Sequence, residues 1–201
     1  MARQHANLIL MGLRGSGKTT IGGLLAKRLR RSYVDLDDKT VVLLGGKSVA
    51  EAFRRAGEPA FRTAEVAALQ TELGKTRQIL ALGGGTPAAP GAAALLRAKQ
   101  DSGDALIVFL TASTEVLRER LAKTDTASRP SLTGKGTLEE IDQVRARREP
   151  MYQSLASLVV DSSNLSAEQA AIRIANWFEE ATTKPDQGPG RPAGPPRKTP
   201  G

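Results

Sequence analysis

Apolar residues along the chain follow two rhythms. Short apolar runs of strand length stand at 8–11, 78–82, 105–110 and 158–160, and a weaker one, S-Y-V-D-L, at 32–36. Between them, apolar residues recur at helical spacing. Residues 18–30 carry Ile21, Leu24, Leu25 and Leu29 on one stripe, and 39–73 read as helices broken at Gly45-Gly46 and Gly57. Ser48 suits an N-cap, with Glu51 at the capping-box position. A helix opens at Pro90 and runs to about Lys99; another, capped by Ser113 or Thr114, runs to about Lys123. Residues 137–156 are helical, with Pro150 near a kink or break. After Ser166 a final helix places Ala171, Ile174, Phe178 and Ala181 on one face, with Trp177 packed beside it. Five strands alternating with helices predict an α/β fold: a parallel five-stranded sheet between two helical layers, a three-layer α/β/α arrangement. The run at 105–110 lacks polar alternation, so it is buried on both faces. There is no internal repeat.

The first strand and helix enclose G-L-R-G-S-G-K-T-T, residues 12–20. This is G-x-x-x-x-G-K-[ST] in the strand–turn–helix setting of a P-loop. Polyphosphate needs many donors at short range. Gly12, Gly15 and Gly17 let the backbone curl so that successive N–H groups, from Leu13 and Arg14 through Ser16 to Thr20, face one hollow. The following helix adds the positive end of its dipole. Lys18 reaches the β- and γ-phosphates, and the Thr19 hydroxyl can ligate Mg²⁺. The expectation is therefore nucleotide-phosphate binding at a P-loop.

Composition narrows this only slightly. At 201 residues with 40% apolar content, one domain with a real core is expected. The absence of cysteine removes disulfides, thiolate nucleophiles and Cys zinc sites, and suits a cytoplasmic protein. No apolar run approaches membrane-span length, and the first one is needed as a strand, so no signal peptide is read. The net charge is +8; Lys184, Arg191, Arg197 and Lys198 against Asp186 place +3 of it after residue 181, leaving +5 on the body. With 3% aromatic residues, platforms for stacking single strands are not expected, and specific nucleic-acid binding is not read from the charge. The Pro/Gly-rich basic stretch 182–201 has too little apolar content to order itself, so the domain is placed at 1–181.

In a parallel sheet, ligands sit beyond the carboxyl ends of the strands. The P-loop, Asp35 to Asp38 and Gly83-Gly84-Gly85 all fall there. An acidic residue at a strand end commonly holds Mg²⁺ beside a P-loop. The strands at 78–82 and 105–110 end without one, leaving Asp35 as the candidate. On an extended strand Asp35 and Asp37 face the same side, which frees Asp37 to orient or deprotonate an acceptor hydroxyl. Three glycines after a buried strand suit close backbone approach to a ligand. Arg129 precedes a proline in the polar, glycine-flanked stretch 124–136, as a lid arginine would.

Taken in order, G-L-R-G-S-G-K-T-T, D-L-D at 35–37, F-R-x-x-E at 61–65, G-G-G at 83–85, R-P-x-L at 129–132 and R-x-P-x-Y at 148–152 resemble the shikimate kinase family, within the nucleoside-monophosphate-kinase-like P-loop group. The resemblance spans about 7–178. It implies ATP-dependent phosphorylation of the shikimate 3-hydroxyl by a Mg²⁺-dependent, monomeric enzyme. It carries Lys18 and Thr19 to phosphate and metal, Asp35 to the metal's water shell, and Asp37 to the acceptor hydroxyls as base. It carries Arg62 and Arg148 to the acceptor carboxylate, Gly83, Gly84 and Gly85 to the ring hydroxyls through backbone groups, and Arg129 to the phosphates. Phe53 and Phe61 match ring-packing positions, and Glu65 matches a residue orienting Arg62. Where the family usually has Leu after the lid Arg-Pro, this chain has Ser131. The nearest rival enzyme is a kinase for another small hydroxylated acid such as gluconate. A guanine-nucleotide switch would need N-K-x-D and D-x-x-G, and neither occurs. A non-catalytic homologue would be favoured by loss of Lys18, Asp37 or Arg129, and all are present.

Overall fold

The structure is a computed structural model, and it describes residues 4–123 and 141–183. In chain order the elements are β1 (Asn7–Met11), α1 (Lys18–Leu29), β2 (Ser32–Asp35), α2 (Leu36–Leu43), α3 (Val49–Leu73), β3 (Gln78–Ala81), a 3-10 turn (Thr86–Ala88), α4 (Ala92–Asp101), β4 (Ala105–Thr111), α5 (Thr114–Ala122), α6 (Ile141–Leu155), β5 (Leu158–Asp161) and α7 (Ala167–Thr183). The strands form one parallel sheet in the order β2-β3-β1-β4-β5. This is the expected five-stranded α/β arrangement, with β1 and its P-loop at the centre.

Strand alternation divides the core in two. Ile9, Met11, Leu80, Ile107 and Phe109 face one side and pack with residues of α3, α4, α5 and α6. Leu8, Leu10, Ile79, Val108 and Leu110 face the other and pack with α1 and α7. Residues 105–110 are buried throughout, as their lack of alternation requires. Each such aliphatic side chain contributes roughly 1.5–3 kcal/mol by leaving water. A third, smaller cluster lies apart from the sheet, where Val41 of α2 meets Ala52 and Phe61 of α3.

Helix starts follow their caps. The Ser48 hydroxyl accepts the Glu51 N–H at 3.2 Å, while the Glu51 carboxylate takes the N–H of Lys47 at 2.7 Å rather than that of the cap residue. Ser113 caps α5. At α7, Ser166 and Gln169 exchange both bonds of a capping box.

Three expectations change. Asp35 and Asp37 do not alternate along a strand: β2 stops at Asp35, whose carboxylate accepts the Asp37 N–H at 3.1 Å and starts α2. A capping side chain satisfies an otherwise orphaned helix donor, so the turn wins over strand extension. Pro90 does not open α4, because the next residue, Gly91, takes the left-handed region (φ 86, ψ −18) and is itself the N-cap; the helix begins after it. The predicted break at Gly57 is present (φ 76, ψ 163), but Pro150 lies inside α6 without one. There the ring gives up only the bond its nitrogen would make one turn back. The lid stretch 124–136 with Arg129 and Ser131, and the tail from 184 onward, lie outside the described residues; α7 itself runs to Thr183, past the boundary placed at 181.

Candidate active site

The P-loop follows β1. Gly12 has φ 153, and a Cβ there would stand 2.2 Å from the Leu110 carbonyl oxygen of the neighbouring strand, so only glycine lets β1 turn away at this point. Gly17 ends the loop in the left-handed region as the N-cap of α1. The first intrahelical bond runs from Ile21 N–H to Gly17 C=O at 2.9 Å, so the first-turn N–H groups emerge at the helix end, where anions bind. The Lys18 ammonium donates to the Gly12 and Leu13 carbonyls, each at 2.9 Å, which holds it over the loop. Thr19 and Thr20 are exposed on the same turn.

Tyr33 links this loop to the metal candidate. Its hydroxyl donates to Asp35 Oδ2 at 3.3 Å and is hydrogen-bonded to Thr19. Burial, then the Asp35 charge, push its pKa up. Thr19 and Asp35 thus flank one phenol. Among the described residues no cluster of three or more His, Cys, Asp or Glu exists to cage a metal. That suits Mg²⁺, which is commonly held by one or two protein oxygens together with substrate phosphates and waters.

At the end of β3, Gly83 is a meeting point. A Cβ there would lie 2.3 Å from Asp37 Oδ1, 2.8 Å from Glu65 Oε1 and 3.0 Å from Thr86 Oγ1. One at Gly85 would lie 2.5 Å from Arg62 Nη1. The glycines therefore permit close approach, here of protein side chains. Arg62 pairs with Glu65 at 2.7 Å and with the exposed Glu58 at 3.5 Å. Its guanidinium lies 5.8 Å from the Phe61 ring, which packs against Phe53 at 5.4 Å. The Arg148 Nη1 donates to the Gly84 carbonyl at 2.8 Å, and the Tyr152 hydroxyl donates to the same oxygen. Burial raises the Tyr152 pKa, keeping that hydroxyl a donor. The Gly83 and Gly85 carbonyls accept from Thr86 and Ala88 N–H. The Gly84 carbonyl thus accepts from two donors within the protein, and those of Gly83 and Gly85 from one each. Gly84 also abuts the P-loop: a Cβ there would be 3.6 Å from Gly12 O and 3.7 Å from Arg14 N. The P-loop, Arg62 and Arg148 thus all border the Gly83–Gly85 turn.

Two groups escaped the sequence. Arg120 of α5 donates to the Ser162 hydroxyl and carbonyl at 3.0 and 2.8 Å, beside the P-loop residue Ser16. Thr86 is fully buried and bonded to Glu65. Tyr152 belongs to the R-x-P-x-Y motif, and its spacing of four from Arg148 puts both on one face of α6.

The family profile described as shikimate kinase matches residues 14–179. The chain belongs to the shikimate kinase family. It is 37% identical over 175 residues to a shikimate kinase of Rhodopirellula baltica, covering 85% of this chain and 88% of that protein. It is 38% identical over 174 residues to one of Geobacter sulfurreducens, covering 87% and 91%. Among solved structures, the shikimate kinase of Acinetobacter baumannii in complex with shikimate superposes with a TM-score of 0.79 at 26% identity, covering 90% of this chain and 96% of that one. The Aquifex aeolicus shikimate kinase gives 0.70 at 28% identity, covering 86% and 96%. As a shikimate kinase family member the chain is a kinase, and among its described residues no helix is long and apolar enough to cross a membrane.

Proposed function

We propose that this chain transfers the γ-phosphoryl of ATP to the 3-hydroxyl of shikimate, the step that yields shikimate 3-phosphate for chorismate and aromatic amino acid biosynthesis. The observation that carries the reading is the crevice at Gly83–Gly85. Two arginines from distant helices, Arg62 and Arg148, are held there beside Asp37, against the phosphate loop. A small anionic polyol needs this arrangement: guanidinium groups meet a carboxylate in a fork, and a carboxylate accepts from the hydroxyls.

In this reading Gly12 to Thr20 hold the phosphates, with Lys18 exchanging its two loop carbonyls for β- and γ-phosphate oxygens. Arg62 and Arg148 fix the acceptor carboxylate, and the N–H groups of Gly83, Gly84 and Gly85 meet ring hydroxyls. Asp37, only 7% exposed and at the start of α2, orients the acceptor hydroxyl and takes its proton. Thr19 and Asp35 would hold Mg²⁺, which neutralises phosphate charge when bound. Arg129 is assigned to the phosphates from its motif. Phosphoryl transfer needs mainly positioning and charge neutralisation, which these side chains supply. We further propose a cytoplasmic monomer whose catalytic body is 1–181, with 182–201 dispensable for turnover. An ATP-coupled assay across shikimate, quinate and gluconate tests the reading. It predicts a kcat/KM for shikimate at least a hundred-fold above the others; gluconate turned over as well as shikimate would overturn it.

A further inference from the structure

Arg62 does not hold its own position; Glu65 holds it, and Glu65 is in turn held. The Glu65 side chain is 2% exposed, and its two oxygens have separate partners. Oε2 takes Arg62 Nη1 at 2.7 Å, and Oε1 takes the hydroxyl of Thr86, a residue with no exposed surface. The Thr86 N–H is itself anchored on the Gly83 carbonyl at 3.1 Å, so its hydroxyl is fixed by the same turn that shapes the crevice. Glu65 Oε1 and Asp37 Oδ1 both come within 3 Å of the point a Cβ on Gly83 would occupy. Two carboxylates so close repel, and each needs its own donors to stay where it is.

We propose that Thr86 is a positioning residue for acceptor recognition: its hydroxyl holds Glu65 Oε1, and Glu65 thereby aims Arg62 at the acceptor carboxylate. The inference rests on the reading that Arg62 binds that carboxylate. Without the hydroxyl, Glu65 Oε1 has lost its donor in a place closed to water, and a buried acceptor left unpaired drives rearrangement. The adjustment open to it is to swing toward Arg62 or away from Asp37, and either displaces the guanidinium. The nucleotide side has no part in this chain of contacts.

The experiment is steady-state kinetics of Thr86→Val and Thr86→Ser with each substrate varied, together with Arg62→Ala and the Arg62→Ala/Thr86→Val double variant. Thr86→Val should raise the KM for shikimate about tenfold and leave the KM for ATP within twofold. Thr86→Ser, which keeps the hydroxyl, should restore the parent value. In the Arg62→Ala background Thr86→Val should have no further effect on the shikimate KM, because both act through one guanidinium. If valine prevents folding, Thr86→Ala carries the same expectations. An unchanged shikimate KM, equal rises for both substrates, failure of serine to restore, or independent effects in the double variant would each overturn the inference. If Arg62→Ala itself leaves the shikimate KM unchanged, the underlying reading of the site fails instead.

Discussion

On the proposed assignment the crevice has a phosphate half and an acceptor half, and the two are built by different means. The phosphate half is one contiguous segment, Gly12 to Thr20, whose ligand groups are mostly backbone and whose support is the sheet itself: β1 is central, with every residue buried. The acceptor half gathers Asp37, Arg62, Glu65, Thr86, Arg148 and Tyr152 from four elements, and side-chain bonds hold Arg62, Glu65, Thr86, Arg148 and Tyr152 in place. Its apolar support is divided: the small Val41, Ala52 and Phe61 cluster lies by Arg62, while Tyr152 is buried in the main core against Phe109. Phosphate is the same in every nucleotide, so a backbone cradle serves it. A particular acid is recognised only by placed side chains, and those must be positioned by others. The acceptor half should therefore be the more easily detuned, with losses confined to one substrate.

The contrast can be broken or sharpened by substitution. Lys18→Met should cause the largest loss, at least a thousand-fold in kcat at an unchanged melting temperature, because it removes charge from the transferring group without touching the core. Near-native turnover would refute the assignment. Asp37→Asn is nearly isosteric but a far weaker base, and should lower kcat by roughly 10²–10⁴ while moving the shikimate KM less. Tyr152→Phe removes one of the two donors on the Gly84 carbonyl. It should cost ~1 kcal/mol of stability and raise the shikimate KM a few-fold, with ATP unaffected, as thermal melts and kinetics would show.

The smallest effect lies at the end of β5. The Ser163 hydroxyl and N–H donate to Asp161 and hold its carboxyl below the usual range. A depressed folded-state pKa gives stability that is present above the unfolded value, about 3.9, and is lost as pH falls through the folded one. Ser163→Ala should lower the melting temperature by about 1–3 °C at pH 7. Part of that loss should fade below about pH 4, since Asp161 is exposed and partly screened. A gap that widens in acid would contradict the linkage.

The sequence made the phosphate half legible because its chemistry is local: a nine-residue motif contains both the groups and the turn that presents them. Five strands, their parallel arrangement and the serine caps of α3, α5 and α7 were legible for the same reason, since periodicity and caps act within a few residues. The acceptor half needed the resemblance to unite Arg62 with Arg148, because nothing local says that residues 86 apart meet at one glycine turn. Asp35 misled because strand alternation was read through it to Asp37, whereas its side chain accepts the Asp37 N–H and starts the helix. Thr86 carried no signal of its own, because a threonine after three glycines reads as a turn until Glu65 is placed against it.

The most direct test is equilibrium binding of shikimate and of a non-hydrolysable ATP analogue to the parent, Arg62→Ala and Arg148→Ala proteins. A lost charged hydrogen bond is worth roughly 1.5–3 kcal/mol, so each variant should bind shikimate about ten- to a hundred-fold more weakly and bind the analogue as the parent does. Variants that keep shikimate affinity and lose the analogue would show that the two arginines serve the nucleotide, and that the crevice has no acid-binding half.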